Sequence, residues 1–150
     1  MKIIKAEQKD FEEINCLAEE EFPYTKKNLD KIELRIKKGN FIFVAKDQKT
    51  FLGFIEFKLA GPLAFLFGLA VKKEFRGDGI GKKLFDFFIK FSQKNNITKI
   101  SLIVKKDNLQ AKKLYKSNGF VIVKELEKKI ENSLIEEMEL DLSNSPSWVS

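Results

Sequence analysis

Two stretches of the chain hold residues whose types and spacing could do chemistry. In the first, Arg76-Gly77-Asp78-Gly79-Ile80-Gly81, glycines recur at every second position between an apolar run and a helical pattern. A strand ending in such a turn at a helix start offers several backbone N–H groups to one anion, and the positive end of the helix adds its field. A phosphate group suits that turn; a tight turn serving only as punctuation is the alternative. In the second, Asn108 and Tyr115 fall seven residues apart on a helical pattern, nearly in register on one face. The lone thiol, Cys16, reads as a small helix residue rather than a nucleophile, because the chain has no histidine to activate it.

Strands and helices must hold these stretches in place. Met1 to Ala6 reads as a short strand. Asp10 with Glu13 three residues on is a capping-box signature for a helix whose inner face is Phe11, Ile14, Leu17 and Ala18. Glu19-Glu20-Glu21 ends that helix against its macrodipole. A solvated helix end is one reading; an acidic lip, with Glu20 and Glu21 drawing in a cationic substrate, is the other. Thr25 caps a second helix with Leu29, Ile32 and Ile36 on one face, stopped at Gly39.

Phe41 to Ala45 and Phe51 to Leu59 form a hairpin around a polar turn, with Phe54, Glu56 and Lys58 on one side. Leu63 to Val71 is apolar throughout, as expected of a central strand covered on both faces, and Gly68 within it suits a bulge or a close ligand approach. The glycine turn then opens a helix near Gly79 that turns Ile80, Leu84, Phe87, Phe88 and Phe91 inward. Thr98 to Val104 predicts another buried strand, making a parallel crossover. Asp107 or Asn108 caps a shorter helix that Asn118-Gly119 stops. Phe120 to Leu126 and Ser133 to Leu142 complete the chain as a strand pair around a charged connection, Glu127 to Asn132.

With 150 residues, 43% of them hydrophobic, and a heavy load of phenylalanine, the chain can bury a core as a single domain, expected over 1–142 with a tail at 143–150. One cysteine excludes an intramolecular disulfide and fits a reducing, cytoplasmic setting. No apolar run approaches the roughly 20 residues of a membrane span, so no membrane partner is expected. A net charge of +6 invites nucleic acid, but thirteen Lys/Arg against four Asp/Glu between Lys72 and Lys116 gather the positive charge around the glycine turn. That favours a compact polyanionic ligand over duplex DNA.

LAV before RGDGIG, and VKKDNLQAKKLYKSNGF after it, fit in order and separation two motifs, Arg/Gln-x-x-Gly-x-Gly/Ala and Asn-x-x-Ala-x-x-Leu-Tyr-x-x-x-Gly-Phe. From Leu69 to Val123 the chain thereby resembles the GNAT superfamily of acetyl-CoA-dependent N-acetyltransferases, and the order of its other elements is similar too. The resemblance implies an α/β fold: a mixed, mostly antiparallel central sheet with a splayed parallel strand pair and helices on both faces. It implies acetyl-CoA as co-substrate and no metal. The pantetheine amides would lie along Leu69, Ala70 and Val71, the pyrophosphate on the turn of Gly77, Asp78, Gly79, Ile80 and Gly81, and the phosphates among Arg76, Lys82 and Lys83. Asn108 would bind cofactor or orient the site. Tyr115 would give the proton to the departing thiolate, against the alternative of a core aromatic.

Relatives carry a glutamate base at one of two places that here hold Phe65 and Ile103. Glu56, on the neighbouring strand, is the nearest candidate, unless it is simply the solvent-facing member of a half-buried strand. Freeing a lysine-like amine at pH 7 costs about 4.6 kcal/mol, an α-amine about 1 kcal/mol. A site without a strong base therefore favours the α-amine of a peptide or amino acid, whereas the acidic lip favours a polyamine. The expected activity is acetyl transfer to a primary amine, peptide or small molecule, with a catalytically silent acetyl-CoA-binding module as the alternative. The last strands and the Trp148 tail suit a homodimer.

Overall fold

A computed structural model describes residues 1–22, 31–130 and 132–143. The expected Thr25 cap, Leu29 and the tail with Trp148 lie outside the described residues. Strands β1 (Lys2–Lys5), β2 (Phe41–Asp47), β3 (Thr50–Ala60), β4 (Leu63–Val71), β5 (Lys99–Lys105), β6 (Val121–Ile130) and β7 (Ser133–Asp141) form a seven-stranded sheet in the order β1-β2-β3-β4-β5-β7-β6. The helices are α1 (Phe11–Glu21), α2 (Ile32–Lys37), α3 (Ile80–Lys94) and α4 (Leu109–Ser117). β4 and β5 run parallel, while β1–β2, β2–β3, β5–β7 and β6–β7 are antiparallel. This is the mixed, mostly antiparallel α/β sheet that the sequence implied. Two compact units divide the chain, Met1–Lys58 with Phe67–Phe91 and Leu59–Leu66 with Ser92–Ser150.

In the first unit, Ile14 and Leu17 of α1 and Ile32 of α2 bury against Ile42, Val44, Phe51, Phe54 and Ala70. Two expectations change here. Asp10 does not cap α1 with its side chain; its carboxylate accepts the Glu7 N–H at 2.9 Å and pairs with Lys46 Nζ at 2.5 Å, which ties the helix start to β2. Ile36 is 37% exposed, because the inward positions of α2 go to Ile32 and to Arg35. On the opposite face α3 lays its phenylalanines on the hairpin, Phe88 against Phe57 with ring centroids 4.5 Å apart and Phe87 against Phe43 at 4.6 Å. Each such pair adds about 0.5–1.5 kcal/mol to the burial of its rings.

The hairpin is not regular. Ala45 is opposite Gly53 but Lys46 is opposite Phe51, so Leu52 is an extra residue in β3. This bulge returns Phe51 to the face of Phe54, which a spacing of three would otherwise deny it. The carbonyl of Leu52 accepts the Lys72 N–H at 2.9 Å, and the backbone of β4 passes directly over Gly53. A Cβ on Gly53 would stand 2.4 Å from the Ala70 carbonyl oxygen. Gly53 is thus a close backbone approach that the sequence reading did not mark; a Cβ on Gly68 would meet the rings of Phe54 and Phe22 at ordinary distances, 3.6 and 3.7 Å.

β4 is not covered on both faces along its length, since Phe67 is 57% exposed. Its ladder with β5 runs from Leu63↔Lys99 to Leu66↔Leu102 and no further among the described residues, although β4 continues to Val71 and β5 to Lys105. In the second unit β5 alternates, burying Ile100, Leu102 and Val104 and exposing Ile103. The charged stretch expected as a connection is strand: β6 continues to Ile130, where it pairs with Ser133. β6 is the edge of the sheet and exposed along nearly all its length, with ladder irregularities between Ile122 and Lys124 and between Leu126 and Lys129.

Candidate active site

The glycine turn sits where the sequence placed it, between a short 3-10 turn at Lys73–Phe75 and the start of α3. Gly77 (φ +92°) and Gly79 (φ +77°) take left-handed backbone conformations in open space, so conformation rather than crowding requires glycine at both. The first bond into α3 runs from the Lys83 N–H to the Gly79 carbonyl at 3.0 Å. The N–H groups of Ile80, Gly81 and Lys82 therefore have no acceptor inside the helix. A Cβ at Gly81 would touch the Val71 side chain at 3.7 Å, so the helix N-terminus rests on the end of β4.

That end of β4 has a defined polarity. The Ala70 carbonyl and the Lys72 N–H both face β3. By strand alternation the N–H and C=O groups of Leu69 and Val71 face the other edge. Ala70 itself is buried in the core with Phe54. The side chains of Asp78, Ile80 and Lys83 line a cleft together with Asp47, Thr50 and Leu52 of the hairpin.

Two of the charged residues around the turn are paired with α1. Arg76 donates its Nε to the Val71 carbonyl at 3.0 Å and its Nη2 to the Glu21 carboxylate. Lys72 Nζ donates to Glu13 at 2.9 Å and lies over the Phe51 ring, 5.6 Å from its centroid. The Glu13 hydrogen bond holds the Lys72 ammonium above its ordinary pKa of 10.5, and the charges of Glu13, Glu74 and Glu20 add to the effect. Lys82 pairs one turn on with Asp86 at 3.3 Å. Of the acidic lip, Glu20 is exposed and Glu21 is held by the turn's own arginine.

Glu56 is not solvent-facing. It is 6% exposed; Oε1 accepts Arg35 Nη2 at 3.0 Å, and Oε2 accepts Arg35 Nε at 2.9 Å and Asn40 Nδ2 at 2.7 Å. This bidentate pair fastens α2 to β3, and removing one partner of such a buried pair costs about 3–5 kcal/mol. The sequence reading missed Arg35 and Asn40, whose role depends on which strand lies beneath α2.

In the second unit Asn108 is the N-cap of α4, its Oδ1 accepting the Ala111 N–H at 3.1 Å. Tyr115 is half-buried, its ring 5.7 Å from that of Phe120, and its carbonyl accepts the N–H groups of Asn118 and Phe120 that close the helix. One turn before it, Lys112 pairs with Glu136 of β7 at 2.5 Å, with 12% and 9% of the two side chains exposed. That contact fixes the face α4 turns to the strand, and local spacing gave no sign of it.

The model of the acetyltransferase (GNAT) family matches residues 4–120. No curated protein sequence matches the chain. Among solved structures, the ribosomal-protein-alanine N-acetyltransferase of Escherichia coli superposes with a TM-score of 0.80 at 19% identity, over 97% of this chain and 96% of that one. A spermidine N-acetyltransferase chimera of Vibrio cholerae and hSSAT gives 0.78 at 25% identity, over 95% and 97%. The PaiA N-acetyltransferase of Thermoplasma acidophilum, in complex with coenzyme A, gives 0.72 at 24% identity, over 93% and 98%. The described helices include none long and apolar enough to cross a membrane. With the family model spanning both motif stretches and most of the sheet, the chain belongs to the GNAT family of acetyltransferases.

Proposed function

We propose that the protein transfers the acetyl group of acetyl-CoA directly to a primary amine. The observation that carries this reading is the pair of left-handed glycines feeding three unsatisfied N–H groups at the head of α3, set on the end of β4. Those N–H groups and the helix field suit the pyrophosphate. The outward main-chain groups of Leu69 and the Val71 N–H suit the pantetheine amides, as an added strand would, while the Val71 carbonyl holds Arg76 Nε. Arg76, Lys82 and Lys83 supply cations for the phosphates, Arg76 after leaving Glu21. The coenzyme A complex of the Thermoplasma structure supports this assignment.

In the transfer, the acceptor nitrogen attacks the thioester carbonyl, the C–N bond forms and the C–S bond breaks. Tyr115 gives its phenolic proton to the departing thiolate, a role that rests on its place in the second motif. Asn108, its side-chain oxygen engaged as a cap, sets where α4 begins. Glu56, with its oxygens engaged by Arg35 and Asn40, serves as a brace. The acceptor is a primary amine, either the α-amine of a protein or a small-molecule amine. The Escherichia coli and Vibrio structures, named for a ribosomal-protein alanine and for spermidine, bracket that range.

One observation favours a second reading, a silent acetyl-CoA-binding module: Phe65 and Ile103 cannot take a proton and Glu56 is braced. Incubation with acetyl-CoA and a panel of peptides, polyamines and lysine derivatives, monitored by free thiol, separates the two. Release of thiol with at least one amine is expected. Binding of acetyl-CoA with no release on any amine, even at high pH, would replace catalysis with the silent module.

A further inference from the structure

The acetyltransferase reading, on which this inference rests, leaves open which group takes the acceptor's proton. Cross-strand register in the second unit shows where a carboxylate stands. Phe65 of β4 is opposite Ser101 of β5, Ser101 is opposite Glu139 of β7, and Ile103 is opposite Glu137. Residues directly opposite share a face, with Cβ atoms about 4.5–5.5 Å apart. The reverse face of β5 is buried at Ile100, Leu102 and Val104, whereas this one is open, with Ile103 57% exposed. Both positions that lack a carboxylate, Phe65 and Ile103, therefore belong to one open face whose acids along β7 are Glu137, Glu139 and Asp141.

The three acids differ: Asp141 accepts the Ser143 N–H and hydroxyl on its Oδ1. Glu139 pairs with Lys99 Nζ at 3.5 Å. Glu137 is half-buried and its side chain makes no hydrogen bond or ion pair among the described residues. The charged groups sharing its face are Lys124, directly opposite on β6, Lys105 and Lys99 on β5, and Glu139 and Asp141 two and four residues along β7. Glu137 thus presents an uncommitted carboxylate beside the apolar surface of Ile103, one strand over from the missing base.

We propose that Glu137 binds the acceptor's ammonium over Ile103 and accepts its proton. The N–H bond breaks with its electron pair left on nitrogen, and the proton passes to the carboxylate and on to solvent. The nitrogen then attacks the thioester. The same face selects the acceptor: one ammonium with an apolar neighbour fits Glu137 and Ile103, while a second ammonium meets Lys124 and Lys105. The acceptor is accordingly the α-amine of a peptide rather than a polyamine.

The test uses the full chain, its Glu137→Gln and Glu137→Asp variants, acetyl-CoA, and two acceptors, a peptide with a free α-amine and spermidine. Wild type is expected to release thiol faster with the peptide. Glu137→Gln should lose about 10²-fold in kcat/KM, together with the acid limb of its pH profile, while acetyl-CoA affinity by calorimetry stays within about twofold. Glu137→Asp should recover part of the loss. Wild-type turnover in Glu137→Gln, or equal loss in both variants, would overturn the base. A preference for spermidine would overturn the selection of acceptor. If wild type releases no thiol with any amine, the acetyltransferase reading itself falls, and this one with it.

Discussion

Replacing Gly53 with alanine tests whether the end of β4 is placed by the bulged hairpin beneath it. The added Cβ would lie 2.4 Å from the Ala70 carbonyl oxygen and 3.0 Å from Val71 Cα. Carbon and carbonyl oxygen meet at about 3.3–3.6 Å even in close interstrand contacts, so β4 must retreat by roughly 1 Å. The atoms it meets are backbone, so no side chain can swing aside. The retreat strains the Lys72 N–H to Leu52 C=O bond and lifts Leu69 and Val71 from their positions. Overpacking of this kind costs about 1–3 kcal/mol, and for a chain of this length about 2 kcal/mol lowers Tm by about 4–8 °C. Gly68→Ala is the control, because its Cβ finds ordinary contact with Phe54 and Phe22 and should shift Tm by less than about 2 °C. Thermal denaturation of both variants and acetyl-CoA titration of each make the comparison. A Gly68→Ala protein as destabilised as Gly53→Ala, or a Gly53→Ala protein with unchanged Tm, would refute the placement.

Other outcomes follow from the same geometry. Tyr115→Phe should lower kcat by about 10²-fold and leave acetyl-CoA affinity nearly intact; unchanged steady-state turnover would remove the phenol from proton transfer. Glu21→Gln frees the Arg76 guanidinium, so calorimetry should show acetyl-CoA binding tightened by about two- to fivefold at low salt; weaker binding would mean the pair itself builds the site. Lys72 has a folded pKa above its unfolded one, so its pairing with Glu13 stabilises fully below pH 10.5 and is lost as pH rises through the raised value. Glu13→Gln should remove that alkaline loss from denaturation curves measured between about pH 9 and 11.5, a small effect because the pair is partly solvated. An unchanged curve in this variant would assign the alkaline loss to other groups.

What could be read from the sequence was what spacing along the chain fixes. The turn from Arg76 to Gly81, the Asn108 cap and the phenylalanine stripe of α3 each depend on neighbours within a few residues, and each stands where local periodicity placed it. What escaped depends on register between distant segments. Gly53 matters because Leu52 is an extra residue, and nothing within β3 announces a bulge except a glycine inside a strand. Glu56 reads as outward-facing until α2 is laid over it with Arg35 pointing down. Glu137 looks like any surface acid in Glu136-Glu137 until pairing with β5 puts one of them on each face, Glu136 under Lys112 and Glu137 beside Ile103. The reach of β6 through Glu127 to Ile130 was hidden for the same reason, since its charges are those of a strand exposed on both sides.

That exposed edge also governs how the protein behaves when crowded with copies of itself. Val121, Ile122 and Val123 are all exposed on the last strand of the sheet, and an apolar strand edge that is unpaired among the described residues is a template for a neighbour's strand. The strand carries its own deterrents: Lys124, Lys128 and Lys129 place charge along it, and the two ladder irregularities break the straight line that a docking strand would follow. Neutralising these three lysines, far in sequence from the glycine turn, should therefore weaken the strand's protection against edge-to-edge pairing, a change that light scattering at high concentration would read.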